Sequence, residues 1–178
     1  LDSPQDTEVL IALGYLKNNG KFSDKYIQLL DSKSNVVRLA AWETIFETMP
    51  LDQVSKMLPA YFQRNDESEL SKKVHFLFAK KAPDSEAVFR LIDMDYPEKS
   101  EALLLGWVQN PLFQNNIAIH QLIDAFLNEK SIQKKAAGLR LLKHISTPSA
   151  TEEILNSLRS DEDELKKSAI IGSFGILD

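Results

Sequence analysis

Apolar residues recur three and four positions apart along almost the whole chain, and runs that alternate apolar with polar are scarce. That is the period of helices packed on one face, not of strands. Segments of 11–16 residues are separated by short polar turns that carry readable start and stop signals. Ser3-Pro4 opens the first helix, with proline where its missing N–H costs nothing. Asn18-Asn19-Gly20 closes that helix in the manner of a left-handed C-terminal cap. Pro97-Glu98, Thr147-Pro148 and the acidic run Asp161-Glu162-Asp163-Glu164 mark further starts, where acids face the positive end of the helix dipole. The spacing predicts eleven helices, over residues 5–18, 23–31, 34–48, 52–64, 67–82, 84–94, 97–109, 115–128, 131–146, 149–159 and 162–177. Turns this short make sequence neighbours pack antiparallel, as helical hairpins.

An internal period organises the hairpins. Steps of 32 residues from Leu30 reach Phe62, Met94, Phe126 and Leu158, and from Ile27 they reach Pro59, Leu91, Ile123 and Leu155. The two starting positions lie three apart, on one face of each first helix. In the second helices Ala40-Ala41 returns as Ala136-Ala137 and as Ser168-Ala169. The second repeat slips by one residue, with Leu70 and Val74 in the places of Val37 and Ala41, and the third is harder to register. Small residues at a recurring site let adjacent helices approach closely.

These residues carry a resemblance. Leu30-Asp31 through Val36-Val37-Arg38-Leu39-Ala40-Ala41 to Ile45 resembles the HEAT pattern of leucines, an acid, Val-Arg, paired alanines and an aliphatic. Leu158 through Asp161 with Leu165-Lys166-Lys167-Ser168-Ala169 is similar to it, as is Ile132-Gln133-Lys134-Lys135-Ala136-Ala137. Met57-Leu58-Pro59-Ala60-Tyr61-Phe62 resembles the proline-kinked first helix common in such repeats. The likeness runs from Phe22 onward, while tetratricopeptide and ankyrin signatures are missing. It implies an all-α fold, a right-handed α-solenoid (an armadillo-like α-α superhelix) of about five stacked HEAT-like hairpins, filling residues 1–178 as one domain. First helices would form the convex layer and second helices the concave one.

Composition narrows the function classes. Hydrophobic residues at 43% and charged ones at 26% suit a folded chain, and 26 acids against 21 bases give a net charge of −5. A chain that grips nucleic acid carries a basic excess, so this balance argues against that partner, including the role of the HEAT-like DNA glycosylases. Without cysteine there are no disulfides, thiolate metal sites or cysteine nucleophiles. No apolar run approaches a membrane span, and no leader is visible ahead of Leu1; a cytoplasmic protein is expected. The missing initiator methionine suggests a fragment of a longer chain.

Candidate chemistry is sparse. The histidines are His75, His120 and His144; His120 and Asp124 share a helix face, but no third metal ligand or His-Glu-x-x-His motif accompanies them. No metal, no cofactor and no catalytic constellation is expected, so the chain reads as non-enzymatic. Basic residues recur near the starts of second helices, at Arg38, Lys72-Lys73, Lys134-Lys135 and Lys166-Lys167. Stacking would align them in a strip that either binds acidic groups or pairs with turn acids such as Asp31 and Asp161. Trp42 falls about 140° round the helix from Val37. Counting on by repeats gives His75 and Trp107, a column that either lines a partner groove or plugs the gaps between hairpins.

The expected function is a scaffold or adaptor binding a protein on the concave face, through Trp42, His75, Trp107, Arg38, Lys73, Lys134 and Lys135. One alternative is a C-terminal helical accessory domain of a larger enzyme, since some zinc aminopeptidases end in HEAT-like helices. Another is a modification factor resembling the HEAT-like bilin lyases. The last helix, with Ile170, Ile171, Phe174, Ile176 and Leu177, has more apolar residues than one buried face needs, which suggests contact with another domain or subunit. The first, with Val9 through Leu13, Tyr15 and Leu16, looks like an orphan second helix.

Overall fold

A computed structural model describes residues 4–20, 22–63, 68–82, 85–92, 97–112, 117–145 and 147–175. Among these residues it is all-α. Eleven helices follow one another: α1 (Pro4–Asn18), α2 (Lys25–Leu29), α3 (Asn35–Thr48), α4 (Leu51–Gln63), α5 (Ser68–Lys81), α6 (Ser85–Phe89), α7 (Pro97–Val108), α8 (Ile117–Leu127), α9 (Ile132–Leu141), α10 (Ala150–Leu158) and α11 (Asp163–Ser173). The largest departures from the predicted spans are at α2, α6, α9 and α11. There the chain tightens into i→i+3 turns, such as Leu30 N–H to the Ile27 carbonyl and His144 N–H to the Leu141 carbonyl.

Local chemistry sets several ends. The Ser34 and Ser131 hydroxyls accept from the Val37 and Lys134 N–H groups at the starts of α3 and α9. Gly20 closes α1 with φ of +62° and its N–H on the Lys17 carbonyl, 3.1 Å away. A side chain is disfavoured at that backbone angle, which is why glycine stands there.

The packing follows a simple order. Each odd-numbered helix packs on the next odd-numbered one, from α1 on α3 through to α9 on α11. Even-numbered helices lie alongside: α2 and α4 on α3, α8 on α9, and α10 on α11. C-terminal ends meet C-terminal ends. Lys81 at the end of α5 pairs with Glu47 near the end of α3 at 2.6 Å. The Asn110 amide, just past α7, donates to the Ala79 and Ala82 carbonyls at the end of α5, at 3.2 and 2.9 Å. Gly175, just past α11, sits against the Leu142 and Lys143 backbone that follows α9. Within each of these pairs the helices therefore run parallel.

Small residues make this row close. A Cβ on Gly106 of α7 would collide with the Phe76 carbonyl of α5, and one on Gly172 of α11 with the Leu139 carbonyl of α9. Ala41, Ala136, Ala137, Ser168 and Ala169 are likewise buried along the row. A charged clamp crosses three members of it. The Arg140 guanidinium of α9 grips Glu101 of α7 with two hydrogen bonds of 2.8 and 2.7 Å, and also meets Glu164 of α11 at 2.9 Å. Bidentate pairing of this kind fixes orientation as well as attraction.

The 32-residue column of the first helices is not uniform in its surroundings. Ile123 and Phe126 of α8 are buried, whereas Leu155 and Leu158 of α10 are 48% and 40% exposed. The inward face of α10 is Ala150, Ile154 and Ser157, so 31 residues, not 32, separate the equivalent positions in α8 and α10. A one-residue shift turns a helix by about 100°, enough to carry a leucine from core to surface. Leu30 is half-buried, while the Pro59 and Phe62 side chains and all of Met94 lie outside the described residues.

The glycines offer a paired test. Gly106→Ala should cost about 1–3 kcal/mol in urea unfolding, because the methyl group meets backbone. Gly14→Ala, with nothing within 4 Å of its Cβ position, should gain about 0.5–1 kcal/mol from helix propensity alone. Equal effects at the two sites would refute the close α5–α7 contact.

Candidate functional site

Of the two readings of the Trp42, His75 and Trp107 column, a partner groove or a plug between helices, burial fits the second. Trp42 and Trp107 are 0% exposed and His75 is 4% exposed. The Trp42 ring packs edge-on against Tyr61 of α4, centroids 4.8 Å apart, and tilts over Phe46 at 5.7 Å. Trp107 of α7 packs edge-on against Phe89 of α6, also at 4.8 Å. Each indole thus fills the angle between an odd helix and an even one. The physical reason is the width of the buried arc. On α3 the buried set Val37, Ala41, Trp42, Thr44, Ile45 and Phe46 sweeps about 200° of the helix at about 100° per residue. A position 140° from Val37 is still inside that arc, because α3 is covered by α1, α5, α2 and α4 together.

His75 is a structural histidine by geometry. Its Nδ1–H donates to the Ser71 carbonyl one turn earlier, at 2.7 Å. Burial, with the nearby Lys99 charge adding to it, pushes its pKa down to about 4, although the Ser71 contact opposes the shift. The ring is therefore neutral across the physiological range.

The basic strip resolves into pairs. Arg38 bonds the Asn35 side chain on its own helix. Lys134 lies 3.9 Å from Glu129, Lys135 2.6 Å from Glu153, Lys72 2.8 Å from Glu69 and Lys166 4.0 Å from Asp163. Lys134 and Lys135 therefore act as rungs to acids of neighbouring segments, which weakens their assignment to a partner.

Lys73 differs. It is exposed on α5 and helps line an open groove of about 280 Å³ between the first turns of α3 and α5. Asn35, Val36, Leu39, Glu69 and Leu70 complete the lining. Val36 is 49% exposed there, an apolar floor left uncovered beside a lysine. Two other open pockets, of about 260 and 210 Å³, lie between α4, α5 and α6 and between α2, α3 and α4. Val36 was legible only as the outer member of the Val36-Val37 doublet. The Arg140–Glu101–Glu164 clamp left no short-range signal, because its members lie 39 and 24 residues apart in sequence.

His120 and Asp124 do not assemble a metal site. The Asp124 carboxylate accepts from the Ser149 hydroxyl at 2.8 Å, and no group of three or more His, Cys, Asp or Glu side chains placed to hold a metal occurs among the described residues. No described helix is long and apolar enough to cross a membrane. On α11, Ile170, Ile171 and Phe174 are exposed, while Ile176 and Leu177 lie outside the described residues. Comparison of the chain with family models, curated proteins and solved structures found no match.

The His75 geometry generates a pH prediction. Its folded pKa is depressed, so the unfolded chain binds the extra proton between pH 6.5 and about 4. Stability from this group is fully present above pH 6.5 and is lost as the pH falls toward 4, by up to about 3 kcal/mol. Chemical denaturation at stepped pH should show that loss setting in below pH 6.5, before most carboxylates titrate. His75→Leu should flatten it; an unchanged slope in the variant would assign the effect elsewhere.

Proposed function

We propose that the chain is a HEAT-like α-solenoid, about five hairpins stacked in a right-handed superhelix, and that it works as a scaffold for a protein partner. The observation that carries this reading is the serial packing of parallel odd-numbered helices. Contacts between consecutive odd-numbered helices, from α1–α3 to α9–α11, are what serial stacking of hairpins requires. The long face of such a stack suits recognition of another polypeptide better than the concave, water-excluding sites of small-molecule chemistry. The groove between α3 and α5 sets an exposed valine beside a lysine. Val36, Leu39 and Leu70 offer an apolar seat, and Lys73 stands at its rim to meet an acidic group of the partner.

A second reading, a helical accessory region of a larger protein such as a zinc aminopeptidase, draws on the exposed apolar side chains of α10 and α11. A His-Glu-x-x-His motif upstream in the full reading frame would favour it.

The test compares affinity capture by the native chain, by a Val36→Glu/Lys73→Glu variant and by a Lys56→Glu control on exposed α4. A partner engaging the groove should be retained by the native chain and the control, and should bind the double variant about 10- to 100-fold more weakly in a purified titration. Equal binding by all three would remove the groove from the assignment.

A further inference from the structure

Two helix ends share one hydrogen-bonded geometry and differ in the residue that follows it. Just past α1, the Asn19 side-chain amide donates to the Tyr15 carbonyl four residues back, at 2.8 Å, and the Gly20 N–H donates to the Lys17 carbonyl, at 3.1 Å. Just past α8, the Asn128 amide donates to the Asp124 carbonyl four residues back, also at 2.8 Å, and the Glu129 N–H donates to the Phe126 carbonyl, at 3.3 Å. Both asparagines are exposed. The next residue is glycine in one case and glutamate in the other. That difference carries chemistry, because an asparagine side-chain amide is open to attack by the backbone nitrogen of the residue after it. A side chain on that residue obstructs the approach and restricts the backbone rotation it needs, and glycine does neither.

We propose that Asn19 is a site of spontaneous succinimide formation, through which the chain acquires an isoaspartyl or aspartyl residue in place of this asparagine. The Gly20 nitrogen gives its proton to solvent base and bonds to Asn19 Cγ; the Cγ–Nδ2 bond breaks and the nitrogen leaves as ammonia. Water then opens the five-membered imide at either carbonyl. One product is aspartate, and the other carries an extra methylene in the main chain. The fold sets the pace, because the attacking N–H and the side-chain amide are both held on α1 carbonyls, and attack waits for the cap to open. Helix ends open at low free-energy cost in the native state, and nothing stands within 4 Å of the position a Gly20 Cβ would take.

The consequence falls on the contact between α1 and α3. Conversion puts a negative charge at the C-terminal, negative end of the α1 dipole. The lengthened main chain no longer matches the cap that Gly20 closes at φ of +62°. Lys17, which reaches Glu43 of α3 at 3.9 Å, gains a second carboxylate two residues away. The last turn of α1 therefore loosens from α3 as the protein ages, whether or not the groove between α3 and α5 binds a partner.

The folded chain is aged at neutral pH and then mapped by proteolysis and mass spectrometry, with isoaspartate marked by enzymatic methylation. Asn19 should convert about 10-fold or more faster than Asn128. Asn19→Gln keeps an amide donor but would need a larger ring, so conversion at that position should stop. Glu129→Gly should raise Asn128 toward the rate of Asn19. Hydrogen exchange in the last turn of α1 should be faster in the aged native chain than in the equally aged Asn19→Gln variant. An Asn19 that stays intact, or an Asn128 that converts as fast in the native chain, would overturn the site. An Asn128 left inert by Glu129→Gly would overturn the role given to glycine, and equal exchange in the two aged chains would overturn the loosening of α1.

Discussion

The close approach of the odd-numbered helices is the constraint on which the rest depends. Gly106 and Gly172 place backbone against the carbonyls of Phe76 and Leu139, where any side chain would intrude. Ala41, Ala136, Ala137, Ser168 and Ala169 keep the intervening contacts short. Because van der Waals attraction falls steeply with separation, a seam of small residues gains contact along the whole helix length. The same proximity brings polar groups within reach of the next helix. Asn110 then satisfies two carbonyls at the end of α5, and Arg140 spans from α7 to α11.

A row of helices covered on several sides has large buried arcs, and this decides where the aromatics go. Trp42 and Trp107 fill the wedges left between odd and even helices, against Tyr61 and Phe89. His75 occupies the same kind of interior position and gives up its charge to do so. The residues with the most chemical character are thus spent on packing. What stays exposed between the first turns of α3 and α5 is modest in chemistry, Val36 beside Lys73. The groove on the row combines valine and leucine with a cation, a pattern suited to an apolar anchor next to an acid.

Much of the architecture was legible in the chain itself. The three-four apolar spacing placed the helices, and Pro4 and Gly20 the two ends of α1, because these signals act through neighbours in sequence. The Ala136-Ala137 and Ser168-Ala169 pairs marked the buried sites of α9 and α11 for the same reason. Which face of each helix is covered was decided only in three dimensions. Tertiary neighbours decided between groove and plug for Trp42, His75 and Trp107, and left Leu155 and Leu158 exposed although Ile123 and Phe126, one period earlier, are buried. A helical wheel gives an angle, but the width of the arc that other helices cover depends on how many of them arrive. Arg140 and Glu101 show the same division: each is an ordinary charged residue in the chain, and only the stacking of α7, α9 and α11 makes them a clamp.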